Sequence, residues 1–300
     1  MDLGFVGLGK MGGNMVERLV KQGHSIVAFD FNEEARIRVA DVGAITAVSL
    51  EEVVFALPSP RAIWMMVPSG KPVDQLIETL SSFMTSGDII IDGGNSNYKD
   101  TMRRAALLKN KGIHYIDVGT SGGVWGLKEG YSLMIGGDVR VVESLNPIFQ
   151  SLAPSPTSGW ARVGPSGAGH FVKMIHNGIE YGMMQAFAEG FAIMEAKKEF
   201  ELDLPEIAEI WRHGSVVRSW LLDLTADALK KNPNLDGFEP YVADSGEGRW
   251  TVFEAIDLDV AAPVITESLL RRIQSRESNS FADRMLAIQR NAFGGHDIKT

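Results

Sequence analysis

A short glycine-rich turn near the start of the chain constrains the fold more than any other feature. Gly7-Leu8-Gly9-Lys10-Met11-Gly12 directly follows an apolar run, Leu3–Val6, and opens a stretch with helical periodicity, Asn14–Gln22. Glycines at this spacing allow a tight turn, close approach of the backbone to a pyrophosphate, and close packing of helix on strand. The helix that follows would direct free N–H groups and the positive end of its dipole towards the anion. We therefore predict a dinucleotide-binding unit in which all six residues contact the cofactor.

Asp30 bears on the choice of that cofactor. It lies at the end of the second apolar run, Ile26–Phe29, eighteen residues after Gly12. A carboxylate there can accept hydrogen bonds from the adenosine ribose hydroxyls, and it repels a 2′-phosphate. Arg36 and Arg38 follow within the next helical pattern and are interpreted as solvated helix charges. The sequence therefore favours NAD, with NADP as the alternative.

Apolar runs of strand length alternate with helical patterns through the first half of the chain. The runs are Leu3–Val6, Ile26–Phe29, Ile63–Val67, Ile89–Ile91, Tyr115–Val118 and Leu133–Ile135. This alternation implies right-handed crossovers and a largely parallel sheet that is covered on both faces.

The second half has a different pattern. From about Gly167 onward no run has strand character, and Gly169–Lys198 lacks proline and would form one helix of about eight turns. The Pro- and Gly-rich segment Ala153–Gly169 marks the boundary, and a last amphipathic helix is predicted over Phe281–Asn291. We predict an α/β Rossmann-type N-terminal domain with a mostly parallel sheet, residues 1–166, followed by an all-α C-terminal domain, residues 167–300.

Composition argues against several classes of protein. The net charge of −9 over 300 residues speaks against a nucleic-acid binder, because neutralising phosphates requires a surplus of Lys and Arg. The absence of cysteine removes disulfides, thiolate metal sites and cysteine nucleophiles. No apolar segment approaches the roughly 18 residues of a membrane helix, and no basic stretch precedes the first apolar run. We expect a cytoplasmic protein without nucleic-acid or membrane partners, and no ligand cluster for a metal is evident.

Two polar, glycine-containing segments follow later strands. Asp92-Gly93-Gly94-Asn95-Ser96 comes after Ile89–Ile91, and Thr120-Ser121-Gly122-Gly123 comes after Tyr115–Val118. In open α/β sheets, ligands bind beyond the carboxyl ends of the strands. Both segments are therefore candidate binding loops, although each alone is more often an ordinary loop.

A third segment places ionisable groups on a predicted helix. Lys173, Asn177 and Glu180 fall on one stripe at i, i+4 and i+7, and His176 and Tyr181 flank it. An amine, an amide and a carboxylate on one face of an otherwise apolar helix are costly if they are buried without a function. The alternative is a solvated face with a weak Lys–Glu relationship.

Together these motifs resemble the β-hydroxyacid dehydrogenase superfamily over nearly the whole chain. Gly7–Gly12, Ser121-Gly122-Gly123 and Lys173 with Asn177 carry the wider resemblance. Three segments are similar to 6-phosphogluconate dehydrogenases in their short bacterial form, namely Asp92–Ser96, His176–Tyr181 and the tail Gln289–His296.

This resemblance implies the oxidative decarboxylation of 6-phosphogluconate to ribulose 5-phosphate and carbon dioxide, with reduction of a nicotinamide dinucleotide, in the pentose phosphate pathway. Lys173 would be the general base and acid, and Glu180 the second acid. The implied substrate contacts are Asn95, Ser121, Gly122, Gly123, His176, Asn177, Tyr181, Arg272, Arg290 and His296. Arg272 matches a phosphate-binding arginine, while Arg290 and His296 would reach into a neighbouring subunit's site. A dimer or tetramer is therefore expected, and Val67 and Asn95 are expected to contact the cofactor.

One segment departs from the family pattern. The segment Asp244–Trp250 is shorter than its counterpart in the long form, which offers a lysine and a threonine to the phosphate. Ser245 and Glu247 occupy the nearest positions. Glu247 would repel a phosphate, and Arg249 is the candidate replacement.

Two alternatives stand beside this hypothesis. A 3-hydroxyisobutyrate-type dehydrogenase, acting on a small 3-hydroxy acid, would share Lys173 and Asn177 but would not need Arg272, Arg290 or His296. A nucleotide-sensing protein with an inactive site belongs to a different class. The presence of both Lys173 and Glu180 argues against it.

Overall fold

The computed structural model describes residues 1–294, of which 293 and 294 are described by their backbone alone. The strands are β1 Asp2–Val6, β2 Ser25–Phe29, β3 Ile45–Thr46, β4 Ala62–Met65, β5 Ile89–Asp92, β6 His114–Ser121, β7 Ser132–Gly136 and β8 Trp160–Gly164. The helices of the first half are α1 Lys10–Lys21, α2 Glu33–Ala40, α3 Leu50–Phe55, α4 Lys71–Phe83, α5 Tyr98–Lys109, α6 Gly126–Glu129, α7 Val139–Ser144 and α8 Asn146–Leu152. Those of the second half are α9 Ala168–Ala196, α10 Leu204–Arg212, α11 Trp220–Lys231, α12 Glu247–Asp257, α13 Pro263–Gln274 and α14 Phe281–Gly294.

The strands form one sheet in the order β3-β2-β1-β4-β5-β6-β7-β8. The neighbouring strands from β3 to β6 pair in parallel, β7 runs antiparallel to β6, and β8 is parallel to β7. The predicted fold class, a mostly parallel Rossmann-type sheet followed by a helical region, is confirmed. The carboxyl ends of the parallel strands meet at one edge, where ligands bind in such sheets.

Both faces of the central strands are buried, as a parallel sheet with helical crossovers requires. Alternate residues of one strand belong to different clusters: Phe5 lies in a core with α1 and α8, while Val6 lies in a core with α3 and α4. Trp64 and Ile63 divide in the same way on β4. This two-sided burial explains why the central strands read as continuous apolar runs.

Two strands were not predicted. β3 is only two residues long, and Ile45 is exposed. β8 lies inside the segment Ala153–Gly169 that the sequence marked as a boundary. Its three central residues are exposed, so it lacks the apolar alternation that identifies a half-buried strand. The boundary segment is therefore partly ordered as an edge strand.

The chain divides into two compact units between His176 and Asn177, inside α9. The predicted domain boundary at residues 166 and 167 remains a prediction. The long helix predicted over Gly169–Lys198 is confirmed as the 29-residue α9. In the second unit, Tyr181 of α9 packs with α12 and α13, and Phe191 packs with α10 and α11. None of the helices in residues 1–294 combines the length and the apolarity needed to span a bilayer.

Candidate active site

The glycine-rich loop between β1 and α1 has the geometry of an anion site. Gly7 has a positive φ of 95°, and a Cβ there would collide with the carbonyl oxygen of Met66. A Cβ on Gly12 would collide with the carbonyl oxygen of Gly7, whereas the space beside Gly9 is open. Gly9 caps α1 without a side-chain hydrogen bond, so backbone N–H groups are left to meet a ligand. The loop therefore fits the pyrophosphate of a dinucleotide.

Asp30 lies directly after β2 and fastens this loop. Its Oδ2 accepts a hydrogen bond from the backbone N–H of Leu8 at 2.6 Å, and its Oδ1 accepts one from the N–H of Asn32 at 2.8 Å. A carboxylate offers about four acceptor sites. Asp30 thus has acceptor capacity left for the ribose hydroxyls of a cofactor.

The interpretation of Arg36 and Arg38 as solvated helix charges is wrong. Arg38 donates from Nη2 to the carbonyl oxygens of Leu8 at 2.7 Å and Gly9 at 3.1 Å. Arg36 donates from Nη1 to the carbonyl oxygen of Asp30 at 2.7 Å. Both guanidinium groups support the backbone that surrounds the glycine-rich loop.

The loop after β5 presents Asn95 between buried neighbours. Asn95 is exposed, whereas Gly94 and Ser96 are buried. A Cβ on Gly94 would lie 2.9 Å from the carbonyl oxygen of Val67, so the structure brings the loop of Asn95 against the end of the preceding strand. Val67 and Asn95, both predicted to contact the cofactor, therefore lie at the same edge of the sheet.

The second predicted loop begins later than expected. β6 continues through Thr120 and Ser121, because Ser121 pairs with Ser132 of the antiparallel β7. Gly122 and Gly123 follow with positive φ values of 141° and 52°. Tyr131 lies beneath this loop, and burial raises the pKa of its hydroxyl to about 12.

Lys173 is held against β6 by a close approach of helix and strand. Lys173 is buried, with only 6% of its surface exposed. A Cβ on Gly119 would collide with the Cβ of Lys173. At the start of α9, the buried Asp117 accepts hydrogen bonds from the N–H of Gly167 at 2.7 Å and of His170 at 3.0 Å. A strand carboxylate therefore fixes the helix one turn before the amine.

Asp117 and Gly119 were not recognised from the sequence. The available signal was a carboxylate and a glycine inside the apolar strand Tyr115-Ile116-Asp117-Val118-Gly119. A buried carboxylate is costly unless it is hydrogen-bonded. Asp117 meets that requirement by capping the helix that carries Lys173.

In the second unit, Asn177 and Tyr181 pack against α12. Asn177 is buried and donates from Nδ2 to a carboxylate oxygen of Glu247. The hydroxyl of Tyr181 accepts a hydrogen bond from the N–H of Ser245 at 3.2 Å. A Cβ on Gly248 would collide with the Tyr181 ring, so the two helices approach closely.

Glu247, whose charge is expected from the sequence to repel a phosphate, has side-chain partners in its own unit. Glu247 is 2% exposed, and its carboxylate accepts from Asn177 and, at 3.4 Å, from the hydroxyl of Ser245. Its Oε2 is thus directed to neighbouring side chains of its own unit. Glu247 orients the amide of Asn177, since Nδ2 is turned towards the carboxylate.

Arg272 lies over the ring of Tyr181, with its guanidinium carbon 3.6 Å from the ring centroid. Its Nη1 donates to the carbonyl oxygen of Ala243 at 2.9 Å, and its Nη2 donates to the sulfur of Met184 at 3.4 Å. Stacking and these two hydrogen bonds orient the guanidinium and leave further N–H donors for an anion. Arg272 and Tyr181, each expected from the sequence to contact the substrate, therefore lie against each other.

Arg249, the candidate replacement for the missing phosphate contacts, is engaged elsewhere. It forms hydrogen bonds at 3.1 and 3.2 Å to the carboxylate of Asp244, which also pairs with Arg276. Burial of Asp244 raises the pKa of its carboxyl, but the hydrogen bonds from Arg276 and Arg249 outweigh burial and hold the pKa at about 2. Asp244 is therefore ionised at neutral pH and pairs with both arginines, so the three groups together keep one positive charge.

The remaining predicted residues lie on α9 and α14. His176 and Glu180 are half-buried on α9, and Glu180 follows Lys173 by seven residues on the same helix. Arg290 is exposed on α14. His296 lies outside the described residues.

Comparisons with known proteins match both halves of the chain. Residues 2–161 match the family model described as the NAD binding domain of 6-phosphogluconate dehydrogenase, and residues 169–299 match its C-terminal domain. A Haloferax volcanii relative, described as an NAD(+)-dependent, decarboxylating 6-phosphogluconate dehydrogenase, is 40% identical over 99% of this chain and 98% of its own length.

Solved structures of related enzymes superpose on this chain. A Plasmodium falciparum 6-phosphogluconate dehydrogenase, solved in its apo form, with NADP+ and with 6-phosphogluconate, superposes with a TM-score of 0.85 at 28% identity. It matches all of this chain, which spans 66% of the longer Plasmodium chain. A Mycobacterium tuberculosis 3-hydroxyisobutyrate dehydrogenase has a TM-score of 0.73 at 22% identity, covering 89% of this chain and 90% of its own, and shares the fold alone.

Proposed function

We propose that this chain, which belongs to the 6-phosphogluconate dehydrogenase family, oxidises and decarboxylates 6-phosphogluconate to ribulose 5-phosphate and carbon dioxide. The observation that carries the proposal is the buried Lys173, on the helix that carries Asn177 and Glu180 at i+4 and i+7. Lys173 serves both steps of the reaction, and Glu180 serves the second.

Lys173 is proposed as the general base of the oxidation. The hydroxyl at C3 of the sugar acid can be oxidised only if its proton leaves together with the hydride. NAD, when bound, accepts that hydride. An amine must be neutral to take the proton, and burial disfavours the charged form of an amine. Asp117 and Gly119 hold the helix and strand that position this amine.

Decarboxylation of the resulting β-keto acid leaves an enolate. Lys173, protonated in the first step, is placed beside the enolate, and its positive charge stabilises the negative charge of the enolate. Glu180 then protonates the carbon that lost carbon dioxide, which becomes C1 of ribulose 5-phosphate, and the enolate becomes the ketone. Ser121, Gly122, Gly123, His176 and Asn177 are proposed to hold the sugar-acid hydroxyls and carboxylate, and Tyr181 and Arg272 the phosphate end.

NAD is the proposed cofactor, on the strength of the carboxylate at Asp30. Its charge repels a 2′-phosphate, and its hydrogen bonds to Leu8 and Asn32 fix it beside the glycine-rich loop. The Haloferax relative is described as NAD(+)-dependent, whereas the Plasmodium enzyme was solved with NADP+. The residue at this position is therefore the feature to test.

Replacing Asp30 with asparagine and Phe31 with arginine should move the preference towards NADP. The asparagine keeps an acceptor for the N–H of Leu8 but loses the repelling charge, and the 87% exposed position of Phe31 accommodates a cation for the 2′-phosphate. The ratio of kcat/KM for NADP to that for NAD should rise by about tenfold or more. Glu34→Gln, on the exposed start of α2, is the matched control. A wild-type enzyme that prefers NADP at equal concentrations would contradict the assignment of Asp30.

A homo-oligomer, a dimer or larger, is also proposed. Every described side chain of α14 from Ala282 to Ala292 is exposed, including the apolar Met285, Leu286 and Ile288. A 14-residue helix is marginal in water by itself. A second copy of the chain would cover this apolar face and receive Arg290 and His296 in its site.

The second candidate, a 3-hydroxyisobutyrate-type dehydrogenase, is supported by the shared fold alone. The two candidates differ in the anion at the far end of the substrate, for which Arg272 is oriented. The experiment that separates them is a comparison of kcat/KM for 6-phosphogluconate and for 3-hydroxyisobutyrate with NAD. A higher kcat/KM for 6-phosphogluconate supports the proposal, and the reverse order refutes it. A nucleotide sensor would turn over neither acid.

A further inference from the structure

A buried arginine connects two loops at the cofactor edge of the sheet. Arg104 lies on α5 and is only 1% exposed. Its Nε donates to Asp74 at 2.8 Å, its Nη2 to the carbonyl oxygen of Gly70 at 3.0 Å, and its Nη1 to the hydroxyl of Ser96 at 3.3 Å. A buried cation is costly unless partners compensate it. Two of these partners, Gly70 and Ser96, come from different loops, and the third, Asp74, lies in the first turn of α4.

The two loops follow neighbouring parallel strands. The connection from β4 to α4 contains Val67 and ends at Gly70. The connection from β5 to α5 contains Ser96, and β4 pairs with β5 in parallel. The connections also touch directly, because a Cβ on Gly94 would lie 2.9 Å from the carbonyl oxygen of Val67. Arg104 therefore binds one residue of each connection, Gly70 and Ser96. The same two connections are also in direct contact at Val67 and Gly94.

Asp92 completes the network around Asn95. Its Oδ2 accepts hydrogen bonds from the hydroxyl of Ser96 at 2.7 Å and of Tyr115 at 2.8 Å, and its Oδ1 accepts one from the N–H of Gly94 at 3.2 Å. The Ser96 hydroxyl thus donates to Asp92 and accepts from Arg104. The residues on both sides of Asn95 are fixed, while Asn95 itself stays exposed.

We propose that Arg104 is a positioning residue for the reaction, which sets Asn95 relative to Val67 through Ser96 and Gly70. The inference rests on the proposed function and on the expectation from the sequence that Asn95 contacts both substrate and cofactor and Val67 the cofactor. Reacting groups held about 1 Å away from their productive position can lose about 10² in rate. A network of buried bonds behind two ligand-binding loops prevents displacements of that size.

The test compares Arg104→Gln with Arg103→Gln. Arg103 also pairs with Asp74, at 2.9 Å, but it is exposed and pairs with Asp100 as well, so its replacement removes two ion pairs and no hydrogen bond to either loop. Arg104→Gln should lower kcat by about tenfold or more and weaken NADH binding. Arg103→Gln should leave both within about twofold of wild type. Arg104→Lys, which keeps the charge but not the planar fork, should recover part of the loss.

A second variant guards against failure to fold. Ser96→Ala removes the hydrogen bond from Arg104 to Ser96 and the one from Ser96 to Asp92. The buried guanidinium of Arg104 keeps its ion pair with Asp74. The Ser96→Ala substitution should lower kcat/KM by about threefold or more while the melting temperature falls by only a few degrees. Assays well below the melting temperature of each variant separate positioning from loss of folded protein. Folded Arg104→Gln and Ser96→Ala enzymes with wild-type kcat and wild-type NADH affinity would overturn the proposal.

Binding of NADH, followed by its fluorescence, distinguishes this proposal from the proposed function. If wild-type protein fails to turn over 6-phosphogluconate, the proposed function falls. Weaker NADH binding by Arg104→Gln than by Arg103→Gln would then still support the role of Arg104. If the wild-type protein is active, and Arg104→Gln and Arg103→Gln have equal NADH affinity and equal turnover, only the proposed role of Arg104 is refuted.

Discussion

Replacing Lys173 with methionine is expected to reduce kcat by about 10²–10⁴-fold, the usual contribution of a general base. The loss should lie at the upper end, because the same amine, once protonated, stabilises the enolate formed on decarboxylation. Methionine has a similar length and no charge, so the packing of α9 against β6 at Gly119 should persist. Folding and NADH binding should therefore stay close to those of the wild-type protein.

The measurement is steady-state turnover of 6-phosphogluconate, with NADH affinity and the melting temperature determined on the same samples. Lys109→Met, at the exposed end of α5, is the matched control and should retain wild-type turnover. A Lys173→Met enzyme that keeps more than about a tenth of wild-type turnover would remove Lys173 from the role of general base.

Replacing Arg290 with alanine should raise the KM for 6-phosphogluconate by about tenfold or more and barely change the KM for NAD. A charge-assisted hydrogen bond to phosphate contributes about 1.5–3 kcal/mol. Arg284→Ala, on the same helix, is the control, since Arg284 lies by the ring of Phe281 and has no proposed ligand contact. Equal effects of the two substitutions would indicate that α14 acts only through assembly.

Subunit mixing tests whether Arg290 serves its own site or the partner's. Lys173→Met and Arg290→Ala chains are each inactive or weak alone, but a hybrid dimer should contain one site with an intact Lys173 and the partner's intact Arg290. Activity should therefore reappear after subunit exchange. A mixture of wild-type chains with chains carrying both substitutions controls for dilution. No recovery despite proven exchange would mean that each tail completes its own subunit's site.

The sequence predicted most of the fold because the central strands are buried on both faces. The apolar runs at Ile26–Phe29 and Ile89–Ile91 therefore appear as continuous signals, and the proline-free segment that forms α9 was equally clear. β8 was missed because an exposed edge strand shows neither a continuous apolar run nor an apolar alternation. The extension of β6 to Ser121 depends on pairing with β7, which lies beyond any local pattern.

The site residues came largely from motifs and from family resemblance, whereas their supports did not. Asp117 caps α9 from a strand fifty residues earlier, and Glu247 orients Asn177 from seventy residues later. Such contacts have no spacing rule in the sequence. The charge of Glu247 suggested repulsion of phosphate, and neither its burial nor its bond to Asn177 could be read from that charge. Arg38 was misread for the same reason, since its partners at Leu8 and Gly9 lie one crossover away.

A single site is proposed both to oxidise and to decarboxylate the same substrate. The most direct measurement follows NADH formation and the release of carbon dioxide from 6-phosphogluconate labelled at C1, with NAD as cofactor. We predict that one labelled carbon dioxide is released for each NADH formed and that ribulose 5-phosphate accumulates in the same amount. NADH formation without labelled carbon dioxide, or no reaction with 6-phosphogluconate while 3-hydroxyisobutyrate is oxidised, would contradict the claim.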